Sequence, residues 1–522
     1  MLFRSQCDLY FPIIAFNHEQ LKNGITGSFL VAKRRNFANI SRRLLSVDKT
    51  VLADITGRLA NGEYVKPTTP QEKDCFSILD DLDHVGGYVK GSITSKKYMR
   101  NEIWSLLAFQ GAPSWFITLS PADNRHPISL YYASQNTTFQ PEILSSSERN
   151  RLTSNNPVAA ARFFHLIVKL FIKHVLGIEN DTPGLYGETS AYYGTVEQQG
   201  RLTLHLHLLL WIKNAISPQE IRNRLMNKDS KFQQELIAYL ESVHTGDFIT
   251  GTMQDIKERV PCMQENDLGI HSISNKENLT TKKQASYELY KDPTLTMPDP
   301  APLSCGFCKN REENCQLCIA NEKWWDKFNL TVDDIILRSN VHRCKINTSN
   351  DPTRKKNSSE FTSKKKEPKG PKGCLDRYGN CKARFPRDLY KETIVDEDDG
   401  HLFLKKTESM LNTFTPVLSY LTRSNTDVTS LLSGTSIKAI ISYISDYLCK
   451  PALKTYQIFS SMYDVFENTN DETNIKDDNA RRLLLKIVNS LSSKMEIGSP
   501  MASMYLLGNP DHYTSHKFVP FW

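Results

Sequence analysis

An α+β fold is predicted from the order of periodicities along the chain and from where its cysteines fall. A short β-rich run is followed by a long capped helix and then by two further strands joined at a tight turn. A cysteine-rich stretch comes next, and the sequence after it is mostly helical. With 522 residues, 39% hydrophobic and 10% aromatic, the chain can bury cores for roughly two to four domains, which excludes wholesale disorder. The 65 Lys and Arg against 58 Asp and Glu leave a net charge of +7, a bias that permits nucleic acid without requiring it. The longest apolar runs, Leu9 to Phe16 and Leu204 to Trp211, fall far short of the ~20 residues of a spanning helix, so no membrane anchor is expected. The N-terminal segment lacks an apolar stretch followed by a small-residue cleavage site, so a reducing compartment is expected.

Residues 1–110 read as a mixed lead-in, with helices near Ile40 to Leu59 and Ser95 to Phe109. Residues 111–245 are the predicted core. There, Trp115 to Ser120 is β-rich and is stopped by Pro121. Asn156 as N-cap, Pro157 in the first turn and Gly177 past the end bracket a long helix. Tyr192 to Gln198 is a second strand, Gly200 a turn, and Leu202 to Trp211 an alternating third strand. A polar amphipathic helix is expected over Ser217 to Glu241. Residues 246–400 form a cysteine-rich insertion with a lysine-rich loop over 354–372, whose composition predicts disorder. Residues 401–522 are expected to be mainly helical, with Ser436 to Cys449 halted by Pro451. His126, His165 and His174 have no evident partners and are expected to be structural.

Eight of the 11 cysteines fall between residues 261 and 382. Cys305, Cys308, Cys315 and Cys318 spell C-x2-C-x6-C-x2-C; His342 and Cys344, then Cys374 and Cys381, follow. In a reducing compartment such spacing points to tetrahedral Zn2+, because a C-x2-C knuckle brings two sulfurs onto one ion. These eight side chains suffice for one or two structural zinc ions, with the pairing of half-sites left open and Cys262 as a spare. Closed sites of this kind scaffold; they do not catalyse.

His205 and His207 sit two apart on an alternating strand, so both imidazoles share a face and can meet one ion. Glu197 and Gln199 share a face of the preceding strand, and a hairpin brings one of them beside the histidines; Glu197 is the preferred third ligand. Two nitrogens and one oxygen leave positions open, which suits Mg2+ or Mn2+ with water and phosphate oxygens. Tyr443 and Tyr447, at helical i, i+4 spacing, place two phenols on one face that Lys450 continues. A core helix with satisfied hydroxyls is the competing account of that segment.

Six segments together resemble the Rep, or HUH endonuclease, module of Helitron transposases, the Helitron helicase-like domain of the two-tyrosine class. They are WFITLSPADNRHP at 115–127, YYGTVEQQGRLTLHLHLLLW at 192–211, SNVHRC at 339–344, GCLDRYGNCKARFPRDL at 373–389, SYISDYLCK at 442–450 and EIGSPMASMYLLGNPDHYTSHKF at 496–518. The resemblance implies a central antiparallel sheet with flanking helices, the tyrosine helix completing the core. It also implies that His205 and His207 are metal ligands and that Tyr443 and Tyr447 are paired nucleophiles, with Lys450 beside them. Gly200-Arg201-Leu202 is a small local departure that leaves the histidines intact. The implied activity is nicking and rejoining of single-stranded DNA through a 5′-phosphotyrosine in rolling-circle transposition, in the nucleus. The chain carries no G-x4-G-K-[ST] phosphate loop, so a helicase is expected from another chain. Two other readings are an inactive or domesticated transposase fragment acting as a zinc-stabilised DNA-binding protein, and a metallohydrolase whose histidines activate water.

Overall fold

The computed structural model describes residues 10–199, 202–260, 290–306, 308, 315–344, 374–376, 378–396, 398–432, 453–468 and 477–519. Helices α1 (Phe11–Ala32), α2 (Phe37–Leu45), α3 (Lys49–Ala60), α4 (Pro70–Gly86) and α5 (Ile93–Gln110) lead into strand β1 (Trp115–Ser120). Then come α6 (Pro127–Ala133), α7 (Ser146–Asn155), α8 (Pro157–Leu170), β2 (Thr189–Gln198), β3 (Leu204–Ile212), α9 (Pro218–Met226), α10 (Ser230–Val243) and α11 (Met253–Arg259). Helix α12 (Gln316–Ser339), strands β4 (Ile394–Val395) and β5 (Leu402–Phe403), helix α13 (Pro416–Thr422) and strand β6 (Asn425–Ser430) follow. Helices α14 (Thr455–Glu467), α15 (Asp477–Ser493) and α16 (Ser499–Leu506) and strand β7 (His512–Thr514) complete the described chain.

Five strands form one sheet in the order β6-β1-β3-β2-β7, every neighbouring pair antiparallel. The predicted α+β architecture and the strand, helix, strand, strand order are present. Helix α8 starts where Asn156 accepts a hydrogen bond from the Ala159 amide at 3.2 Å with Pro157 in the first turn, and the chain turns away after a π-helical turn at Gly177, φ +71°. Two expected helices are each broken in two. Asp48 accepts from the amides of Thr50 and Val51 at 2.8 and 3.4 Å and restarts the chain as α3. Lys228, at φ +55°, and the Asp229 cap at Phe232 separate α9 from α10.

The sheet is covered on both faces, which explains the nearly unbroken leucine run of β3. Leu204, Leu206, Leu208 and Leu210 join Trp115, Ile117 and Leu119 in the main core, against α8 and α16. The opposite face divides in two. Phe116, Tyr193, Leu209 and Trp211 pack on Met99, Ile103 and Leu106 of α5, whereas Thr118, Ser120, Thr195, Glu197, His205 and His207 make the remainder polar. A further core joins residues from Val31 to Val89 with residues from Leu453 to Leu491, so that α14 and α15 pack on the N-terminal helices. Helix α12 is stitched to the sheet edge. Asn340 donates to the Thr426 carbonyl and Asn425 to the Ser339 carbonyl, each at 2.8 Å, while buried Asp333 accepts from the amides of Ile249 and Thr250 at 2.7 and 2.8 Å.

Candidate active site and metal centres

On β3 the two histidines occupy adjacent positions of the polar half-face, with His205 8% and His207 1% exposed. In register, His207 stands between Thr118 of β1 and Thr195 of β2, and Glu197 lies opposite His205. Strand β1 supplies a hydroxyl to each ring: Thr118 Oγ1 lies 3.1 Å from His207 Nδ1, and Ser120 Oγ 2.6 Å from His205 Nδ1. Thr118 and Ser120 are themselves i, i+2 on their strand, so the same pleat that aligns the histidines aligns their partners. His207 Nε2 lies 3.7 Å from Glu197 Oε2, and His205 Nε2 3.0 Å from Thr203 Oγ1. Fixing one ring nitrogen with an outer partner is how metal-binding histidines are oriented. Burial, aided by the charges of His205 and Lys96, holds His207 down to about 4, so at neutral pH the ring is in the uncharged form that can ligate.

Among the described residues, the sets of donor atoms lying within 4.8 Å of one another are two cysteine groups; Glu197 with the two histidines is a more open set. An ion there requires the Thr203 hydroxyl to turn away from His205 Nε2. Gln199 lines the same cavity as His205 and Thr203, and its amide donates to the Thr203 carbonyl at 3.2 Å. Asp427 is a carboxyl on this row that sequence reasoning missed. It stands opposite Thr118 on β6, accepts from Asn412 at 2.7 Å and Thr429 at 3.2 Å, and burial pushes it up to about 6. Nothing in the polar segment NTDVTS announces a strand that borders the site.

The first cysteine group is Cys305, Cys308, Cys315 and Cys318; the second is His342, Cys344, Cys374 and Cys381. The half-sites that spacing left open are thereby paired. Cys305 Sγ and Cys315 Sγ are 3.7 Å apart, close to the ~3.8 Å edge of a tetrahedron with Zn–S arms of about 2.3 Å. The Cys308 amide reaches Cys305 Sγ at 3.4 Å, and Cys381 Sγ lies 3.3 Å from His342 Nε2. The amides of Phe385 and Ala383 hold the Cys381 thiol below its ordinary range, whereas hydrogen bonding to Cys305 raises Cys308, a crowding a cation would reverse. Each group can hold a zinc ion. Cys315 immediately precedes α12 and His342 follows its end, so the two groups bracket a helix of about 36 Å. Phe385 stacks on His342 at 4.2 Å and Arg387 covers Phe385 at 4.7 Å, so these side chains pack the second group.

Residues 1–210 match the family model described as Helitron helicase-like domain at N-terminus, a stretch that ends just beyond His207. Over that stretch the chain is similar to the Helitron helicase-like domain. No curated protein matches the chain. The Helitron helicase-like stretch contains β1, β2 and nearly all of β3, and with them both histidines, Glu197 and the two hydroxyls of β1. Of the other predicted site residues, Tyr443, Tyr447 and Lys450 lie outside the described residues, as do Cys262 and the loop 354–372. Beyond the matched stretch, Gly498 closes the β2–β3 turn: its amide donates to Gln198 Oε1 at 2.7 Å, and a Cβ there would meet Leu202 Cβ at 2.6 Å. The segment EIGSP is therefore tied to the histidine hairpin by close approach. No helix among the described residues is long and apolar enough to cross a membrane.

Proposed function

We propose that this protein is a Helitron-type Rep endonuclease that nicks and rejoins single-stranded DNA. The observation that carries the reading is the pair of buried histidines on the central strand, each with Nδ1 held by a β1 hydroxyl, at the edge of a basic cavity. His205 and His207, with Glu197 or Gln199 as the oxygen donor, would hold Mg2+ or Mn2+. When bound, the ion would polarise the scissile phosphate and neutralise charge on its oxygens. Thr118 and Ser120 hold Nδ1 of both rings, which orients each ring to present Nε2. Tyr443 or Tyr447 attacks phosphorus through its phenolic oxygen; a P–O(tyrosine) bond forms, the P–O3′ bond breaks, the phenol gives up its proton and the 3′ oxygen gains one. The products are a 5′-phosphotyrosine and a free 3′-hydroxyl, whose attack reverses the step without a nucleotide cofactor. Lys450 is suited to steadying the phosphate or lowering the phenol pKa. Two phenols allow two strand transfers in succession. Such a protein acts in the nucleus, and the basic segment 363–372 suits import.

The test is covalent capture of labelled single-stranded oligonucleotides on denaturing gels, with Mn2+, Mg2+ or EDTA. The expected outcome is a metal-dependent adduct that disappears in Tyr443→Phe/Tyr447→Phe and in His205→Ala. Folded protein that binds DNA without forming an adduct would replace this reading with that of a zinc-stabilised DNA-binding protein, which the two cysteine groups favour.

A further inference from the structure

A cavity of about 1000 Å³ opens at the edge of the histidine site, where β1, β3 and β6 meet. Ser120 and His205 line one side and Arg423, Ser424 and Asn425 another; Arg125, Arg149 and Arg338 complete the basic wall, against the single carboxylate of Asp123 among the described lining residues. Three of the arginines are occupied. Arg338 contacts Asp334 at 2.6 Å and Asp292 at 3.3 Å, Arg125 contacts Thr294 at 2.6 Å and Asp292 at 3.5 Å, and Arg149 donates to the Leu144 carbonyl.

Arg423 differs. It is 3% exposed, lies over the Tyr420 ring at 4.4 Å and reaches the Met297 carbonyl through Nη2 at 3.4 Å. Its Nε and Nη1 atoms, and the buried Ser424 hydroxyl, have no hydrogen-bond partner among the described residues. Among the described residues no carboxylate lies within ion-pair distance of it; burial lowers its pKa, with Tyr420 and the charge of Asp299 only partly offsetting that. A buried guanidinium with unspent donors is costly unless an anion answers it. The backbone adds to that cost, because Arg423 ends α13 at φ +53°, where glycine is favoured.

We propose that Arg423 and the Ser424 hydroxyl form a second anion site, which takes a backbone phosphodiester of the bound DNA strand other than the scissile one. The rigid fork of Arg423 matches two phosphate oxygens. The sheet sets its distance from the histidines: Asn425 is the register partner of Ser120, whose hydroxyl holds His205. His205 and Asn425 are thus two strand spacings apart, about 10 Å, and Arg423 lies two residues further on. The site orients the strand across the sheet edge. It rests on the preceding reading only for the polymer that carries the phosphate.

The test uses the full chain with Mn2+ and a labelled single-stranded oligonucleotide selected from a random pool by binding, in which each phosphate in turn is replaced by a neutral methylphosphonate. In the native protein, at least one internal position besides any at which cleavage occurs should weaken binding. Arg423→Gln should bind about tenfold more weakly, lose sensitivity to that one position, and melt no lower than the native protein, since an unanswered buried charge has been removed. Arg423→Lys should keep a reduced sensitivity at the same position, and decides the matter if Arg423→Gln does not fold. A methylphosphonate profile unchanged in these variants, or weaker binding that only follows a lower melting temperature, overturns the proposal. So does stabilisation by inorganic phosphate through Arg423 with no single DNA phosphate mattering, which would mark a free-anion site. The adduct assay is independent: no adduct with a positive scan removes the endonuclease reading and keeps the anion site, and an adduct with a flat scan does the reverse.

Discussion

Thr118 and Ser120 engage Nδ1 of the two histidines, so that Nε2 is the candidate ligand atom of each ring. Their spacing was visible in the run WFITLS, but the fact that it faces the histidines depends on β1 pairing with β3, which no local pattern encodes. Replacing Thr118 by Val and Ser120 by Ala should keep the strand and release both rings, lowering Mn2+ affinity by about 10–100-fold, as measured by titration of the purified protein. Unchanged affinity would remove their positioning role. Burial also makes a histidine acid-labile. Burial, with the charge of Arg423, lowers His126 to about 4; its Nδ1 accepts from the Ile128 amide at 3.3 Å and caps α6. The folded pKa lies below the unfolded value of about 6.5, so its stabilising share is intact above 6.5 and is lost as pH falls through about 4. Unfolding in that window should take up one extra proton, a slope of ~1.4 kcal/mol per pH unit. Urea denaturation at several pH values should show His126→Gln lacking that slope.

Helix α12 is the element through which the cysteine region meets the site, since its end carries Arg338 and docks on β6. Its cysteines were legible because ligand chemistry demands residue type and spacing together, and the pairing followed once the chain folded. Two zinc ions per chain are expected from the two groups, by elemental analysis of the purified protein. Cys308→Ser and Cys381→Ser should each remove one of them, and a strong chelator should lower Tm by roughly 5–10 °C. Full occupancy in either variant would refute the assignment. By contrast, α1 was not foreseen. Its buried face is Phe16, Gln20, Gly24, Gly27, Ser28 and Val31, small and polar residues that mask the helical period. Gly27 is there for close packing, as a Cβ would meet Tyr88 at 2.9 Å.

Across the whole molecule, the stretch matched to the Helitron helicase-like domain depends on chain far beyond it. β1 takes β6 as one neighbour, β2 takes β7, and the N-terminal helices share their core with α14 and α15. A fragment of residues 1–210 would expose both strand edges and that half-core, so it should express insolubly or lack a cooperative melt by circular dichroism, unlike the full chain. A cooperative, soluble fragment would show that the distal elements are accessory. Sequence alone determined the local features: the bracketed helix α8, the histidine hairpin and the cysteine knuckles, because caps, period-two alternation and ligand spacing are written within a few residues. The tertiary structure decided the partners. It brought the β1 hydroxyls to the histidines, Asp427 to the same row, Gly498 against the hairpin turn, and Arg423 to the cavity wall. Each of these meets residues tens to hundreds of positions away, and such contacts follow from strand order and from which faces the cores cover.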